Sequence, residues 1–247
     1  MIIRSKLFDI VLVFWTLLLG LCIPILAIIN RPACVRWTSR LWSRGIVLGL
    51  QLIVGLKYQE IGRSNLPTGQ VIIACNHQSA WETLVFNILI KDVCIVLKET
   101  LYQIPIFGWY LRNSPMISVN RTDGFRAIQL LLKESVKAKE AGRSVLIFPE
   151  GKRQLLNDDV SFNRGIALLY RKLELPVVPV AINSGAFWAK NGFMKRSGII
   201  TVSYLPSIQP GLTTEKFLEQ LEKEIKKEKE RLTRYSYTGE IPQAMQT

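Results

Sequence analysis

Twenty consecutive uncharged residues, Ile10 to Ile29, restrict this chain more than any other stretch. As one helix they would extend about 30 Å, the thickness of a bilayer core. Pro24 interrupts the run, and a second uncharged run follows at Gly45 to Leu56. At about 18 Å as a helix, that second run is too short to span comfortably. Three placements stand open. A cleaved signal peptide fits the basic start at Arg4 and Lys6, but the run is long for one and no small-x-small site follows. A single span would put the body across the membrane from Arg4 and Lys6, whereas Arg31, Arg36, Arg40 and Arg44 favour keeping the body cytoplasmic. A helical hairpin in one leaflet or its interface keeps both basic ends on one side. A buried soluble helix pair would instead need an unusually large partner surface.

Beyond this segment the chain reads as a globular body. A hydrophobic content of 49% excludes a disordered chain. Strand-like apolar runs recur at 71–75, 93–98, 116–119, 145–148, 177–182 and 199–204. Helical patterns lie between several of them: Phe125, Ile128, Leu131, Leu132 and Val136 repeat at helix spacing, and Gly142 reads as a stop. The alternation predicts an α/β fold with a mixed, largely parallel sheet flanked by helices. A last helix, about 215–232, carries a thin stripe of Phe217, Leu218, Leu221 and Ile225. The expected division is an apolar helical hairpin over 1–58, an α/β domain over 59–235 and a loose tail over 236–247.

A formal charge of +13 calls for an anionic partner, whether nucleic acid, lipid headgroups or a phosphorylated substrate. Aromatic residues are not interleaved with basic ones as a stacking surface for nucleic acid requires. Cys22, Cys34, Cys75 and Cys94 form no Cys-x-x-Cys pair, and with a single histidine the chain offers too few ligands for zinc. They read as reduced thiols. No metal and no cofactor are expected.

That single histidine, His77, sits in Cys75-Asn76-His77-Gln78-Ser79-Ala80-Trp81-Glu82-Thr83, directly after an apolar run. All imidazole chemistry must therefore happen here. Glu82 is five positions on, and on one continuous helix the two side chains would point about 140° apart. They meet only if His77 precedes the helix, and Ser79 is a suitable N-cap for that arrangement. Ser79 to Glu82 also spells a capping box, in which Glu82 reaches back to the Ser79 amide. Capping and catalysis fit Glu82 equally by spacing, and a carboxylate has enough acceptor sites for both.

Asn76, His77 and Glu82 resemble the first motif, Asn-His-x-x-x-x-Asp, of the glycerolipid acyltransferases, with glutamate in place of aspartate. Lys98-Glu99-Thr100-Leu101 with Ile104-Pro105 and Phe107-Gly108-Trp109 resembles the segment that follows in that family. Ile117 to Arg121 resembles the second motif. Phe148-Pro149-Glu150-Gly151-Lys152-Arg153 resembles the third, with Lys152 replacing a threonine. Phe162-Asn163-Arg164-Gly165 and Val178-Pro179-Val180 resemble the later ones. Any one of these is weak, but five in order over about 71–182 are specific. The likeness is to the bacterial type of 1-acylglycerol-3-phosphate acyltransferase.

The resemblance implies acyl transfer from acyl-CoA or acyl carrier protein to the sn-2 hydroxyl of lysophosphatidic acid, giving phosphatidic acid at a membrane. His77 would be the general base and Glu82 the group that orients it. Lys98, Arg121, Glu150, Gly151 and Arg153 would bind substrate, the cations taking its phosphate. Backbone amides near Gly151 would be oxyanion donors, and Arg36, Arg40 and Arg44 would face anionic lipid on the cytoplasmic side of the inner membrane. A same-class alternative is another acceptor, such as lyso-ornithine lipid or glycerol-3-phosphate. A different class is a basic membrane-binding protein without catalysis.

Overall fold

The computed structural model describes residues 1–120, 123–156, 158, 160–190 and 192–238. The chain forms two compact units, one from Met1–Gly55 with Thr83–Val145, the other from Leu56–Glu82 with the residues from Leu146 onward.

The first unit begins with α1 (Ile2–Gly20), α2 (Ile23–Ile29) and α3 (Pro32–Gly49), the last prolonged by a π turn at Leu50–Val54. The twenty-residue run is therefore broken at Leu21–Cys22, and Pro24 takes a first-turn position of α2 where its missing N–H costs nothing. Asn30, in the left-handed region at φ 48°, ends α2. The two long helices are locked together. The Trp15 indole donates to the Trp42 carbonyl (3.0 Å) and the Trp42 indole to Thr16 Oγ1 (3.0 Å). Gly45 admits Trp15: a Cβ there would lie 2.4 Å from the indole nitrogen. The outer apolar surface stays uncovered, with only 11% of the most apolar window buried.

Arg36 and Arg40, expected to face lipid, both reach Asp92 Oδ1, at 3.2 and 3.1 Å, and stay partly exposed. Asp92 follows α4 (Trp81–Leu89), so tertiary proximity creates a carboxylate partner that no local pattern announced. In the same unit β3 (Cys94–Lys98), α5 (Phe107–Asn113), β4 (Ile117–Val119) and α6 (Phe125–Glu140) follow, and β3 and β4 pair in parallel. The Arg143 guanidinium binds the carbonyls of Asp92, Val93 and Pro115. The buried face of α6 runs through Ala127, Leu131, Ser135 and Ala138, whereas Phe125 is exposed. Of the bulky stripe read from the sequence, Leu131 lies on this face and Ile128, Leu132 and Val136 flank it, half-buried. An apolar pocket lies in this unit, between Leu19 and Trp42 of the helical pair, Leu84 and Asn87 of α4, and Ile95, Phe107 and Tyr110.

In the second unit the strand order is β1 (Leu56–Ile61), β7 (Gly198–Tyr204), β6 (Val177–Ile182), β2 (Ile72–Cys75). β1–β7 and β2–β6 are parallel and β6–β7 antiparallel. The mixed, mostly parallel sheet class expected from the sequence is what forms, each predicted strand lying within a residue of its run. β5 (Val145–Ile147) leads into the third motif. β1 was not expected: Lys57, Gln59 and Glu60 make it polar, and its order comes from pairing with β7. α7 (Gly165–Leu173) and α8 (Thr214–Thr238) flank this sheet; Tyr170 stacks on Phe217 with ring centroids 4.0 Å apart. The stripe of α8 is buried at Phe217, Leu221 and Ile225. The helix continues through the start of the segment read as tail, and residues 239–247 lie outside the described residues.

Candidate active site

β2 ends at Cys75, and the Asn76 side chain then imitates a strand residue. Its Nδ2 donates to the Ile182 carbonyl (2.9 Å) and its Oδ1 accepts the Ile182 amide (2.8 Å). That extra rung fixes where the chain leaves the sheet, and His77 is the next residue. Ser79 Oγ caps the new helix at the Trp81 amide (3.1 Å). Three residues on, Glu82 is fully buried, and its Oε1 accepts the amides of Ser79 (2.6 Å) and Gln78 (2.5 Å).

The same oxygen lies 3.1 Å from His77 Nδ1. Capping box and His–Glu pair are thus one arrangement: the box holds the carboxylate still, and the imidazole leans on it. With Nδ1–H donated to Glu82, the lone pair of His77 rests on Nε2, the position a general base needs. Ser184, just past β6, donates its hydroxyl to Glu82 Oε2 (2.9 Å) and so occupies the other carboxylate oxygen. Ser184 was not foreseen. Its signal is its place, directly beyond a strand parallel to β2, at the carboxyl edge where ligands gather.

The third motif wraps His77 from another side. Phe148 stacks on the imidazole at 4.1 Å and 18° between planes. Glu150 Oε2 accepts the His77 amide (3.0 Å), and the Gln154 amide donates to the His77 carbonyl (2.7 Å). Glu150, expected among the substrate contacts, is buried and committed to the histidine backbone. Burial pushes its carboxyl up to about 7, while the His77 amide and Lys229 pull the other way. Gly151 lies in the same turn. It turns the chain at φ 76° and spends its N–H on the Phe148 carbonyl (2.9 Å), so that amide is not free for an oxyanion.

Arg153 and Lys152 are exposed beside this turn, and Lys98 is exposed at the end of β3 in the first unit. Arg121 lies outside the described residues. Cys75, directly before the site, has its thiol pushed up by burial and by Glu82 and Glu150, which keeps it protonated and unreactive. Among the described residues no three His, Cys, Asp or Glu side chains gather as a metal site would need.

The family described as Acyltransferase matches residues 57–183, a span that contains His77, Glu82 and the residues around them. A 1-acyl-sn-glycerol-3-phosphate acyltransferase of Pseudomonas aeruginosa is 33% identical over 173 residues, 70% of this chain and 67% of that protein. The enzyme of the same name from Helicobacter pylori is 27% identical over 71% of this chain and 74% of its own length. The crystal structure of the lysophosphatidic acid acyltransferase PlsC from Thermotoga maritima shares the fold, with a TM-score of 0.71 at 18% identity, over 92% of this chain and 97% of that one. The chain belongs to the acyltransferase family.

Proposed function

We propose that the protein transfers a fatty acyl group from a thioester, acyl-CoA or acyl carrier protein, to the sn-2 hydroxyl of 1-acylglycerol-3-phosphate. The observation that carries this reading is the His77 Nδ1 to Glu82 Oε1 contact of 3.1 Å in a site where Glu82 is otherwise saturated with donors. Neutral His77 takes the hydroxyl proton on Nε2 as that oxygen bonds to the thioester carbonyl carbon. The negative charge of Glu82 steadies the imidazolium so formed. Collapse of the tetrahedral intermediate breaks the C–S bond, and the imidazolium returns the proton to the departing thiolate.

Arg153, Lys98 and Arg121 are the cations assigned to the substrate phosphate. Glu150 and Gly151 serve the same site by holding the histidine backbone and the turn beside it. The segment 1–58 is assigned to the membrane as a hairpin whose basic ends, Arg4 and Lys6 near its start and Arg44 towards its close, keep residues 59–235 on the cytoplasmic face. Names of relatives support the acceptor, and both donor types suit a chain of charge +13.

Purified full-length protein, given a panel of lysolipids with acyl-CoA or acyl carrier protein, tests the assignment. Lysophosphatidic acid should be the fastest acceptor, and Arg153→Ala should raise its KM more than that of the donor. Faster acylation of a phosphate-free lysolipid, or equal losses for both substrates, would overturn the acceptor.

A further inference from the structure

The most exposed large apolar side chain described belongs to the second unit, not to the apolar helices: Phe193 is 88% accessible, with Met194 exposed beside it. Both sit at the tip of the connection from β6 to β7. The base of that connection is firmly built. Phe187 fills the space a Cβ at Gly198 would need (2.2 Å), and the Arg196 amide donates to the Phe187 carbonyl (2.8 Å). The Lys195 ammonium lies 5.1 Å above the Trp188 ring. Gly192 turns the tip by donating to Ala189. From Asn183 to Gly198 the chain has Lys190, Lys195 and Arg196 and no acidic residue. The connection therefore presents two bare apolar side chains with Arg196 exposed and Lys190 half-exposed near them, while Lys195 is buried against Trp188.

Its position is specific. β2 and β6 run parallel, so His77 and the start of this connection leave the sheet at one edge, where Ser184 and Gly185 bond to Glu82 and Gln78. β7 is antiparallel to β6 with Ile182 opposite Val202, so Gly198 stands four residues, about 13 Å, beyond the end of β6. Leu56, to which the apolar segment is joined, pairs with Gly198 at the same place.

We infer that Phe193 and Met194 insert into the headgroup layer of an anionic leaflet, giving the catalytic unit a lipid contact of its own. A leaflet fits better than a protein partner. Two side chains on a narrow tip offer far less than the roughly 800 Å² per partner of a stable protein interface, while a fluid interface needs no complementary shape. Aromatic and basic residues together are what the interfacial region selects. The contact would hold the edge bearing His77 at the depth where a lysolipid hydroxyl lies, an arrangement that rests on the proposed function only for its purpose.

The test places a nitroxide at Phe193→Cys in the full chain carrying Cys22→Ala and Cys34→Ala, the buried Cys75 and Cys94 being left in place. With vesicles of phosphatidylcholine and phosphatidylglycerol, the label should become accessible to oxygen and shielded from a water-soluble nickel chelate. A label at Lys223→Cys on α8 should stay chelate-accessible. Equal chelate access at both sites would overturn the inference, as would shielding produced by acidic acyl carrier protein but not by vesicles. Phe193→Ser with Met194→Ser should raise the apparent KM for vesicle-borne lysophosphatidic acid about tenfold, with kcat unchanged. A lost kcat would contradict it. Failure of the acyl-transfer reading would show as no turnover in the unaltered protein while the label still reports depth.

Discussion

Glu82→Gln separates the electrostatic role of this residue from its structural one, because the local geometry lets glutamine keep the structure. Four donors converge on the carboxylate: His77 Nδ1, the amides of Gln78 and Ser79, and the Ser184 hydroxyl. A glutamine oxygen in the place of Oε1 still accepts the first three, and its amide nitrogen can donate to Ser184, whose hydroxyl reverses role. Stability should therefore change by no more than about 1 kcal/mol. What disappears is the attraction between carboxylate and imidazolium. At ~4 Å between charge centres and an effective dielectric near 20, that attraction is about 4 kcal/mol. A barrier higher by that amount slows the chemical step roughly 10³-fold. Single-turnover acyl transfer, with thermal unfolding as the control for folding, reads both quantities. Activity within tenfold of the unaltered enzyme at unchanged stability would refute the dyad and leave Glu82 a helix cap. Glu82→Ala differs in kind: it strands several buried donors and should cost on the order of 3 kcal/mol or more in stability.

Glu150 supplies a pH dependence. Its carboxyl is raised from 4.5 to about 7, so between those values the folded state holds a proton that the unfolded state has released, and stability falls as pH rises across that window. The drop should total ~3 kcal/mol and flatten in Glu150→Gln, as measured by denaturant unfolding from about pH 4 to 8; an unchanged slope would refute the assignment. Ser184→Ala frees Glu82 Oε2 and should lower kcat about tenfold with little change in KM, whereas a pure KM effect would place Ser184 in binding instead. Gly45→Ala drives a methyl group into the Trp15 indole and should destabilise the α1–α3 pair by about 1–3 kcal/mol, read as a lower melting temperature with a shifted tryptophan emission.

The sequence was most legible where physical requirements are local. A solitary histidine, a serine cap and a glutamate three residues beyond the cap defined the His77–Glu82 contact without any tertiary information, since a helix start can bring those residues together in only one way. Strand positions were equally plain, because buried parallel strands read as continuous apolar runs. The polar edge strand β1 escaped, its order arising from a partner 142 residues away along the chain at the Gln59–Thr201 rung.

What the sequence by itself determined was the chemistry available: one imidazole, one adjacent carboxylate, a string of cations and an apolar segment that water cannot cover. The tertiary structure decided which of these groups meet. It set Glu150 as a brace for the His77 amide, spent the Gly151 amide on a turn, and joined Arg36 and Arg40 to Asp92. It also carried Ser184 across 102 positions to the far oxygen of Glu82. The reason is one of range. Caps, turns and strand periodicity are set by neighbours a few residues apart, whereas a buried carboxylate takes whichever donors the packed sheet edge brings within hydrogen-bond distance.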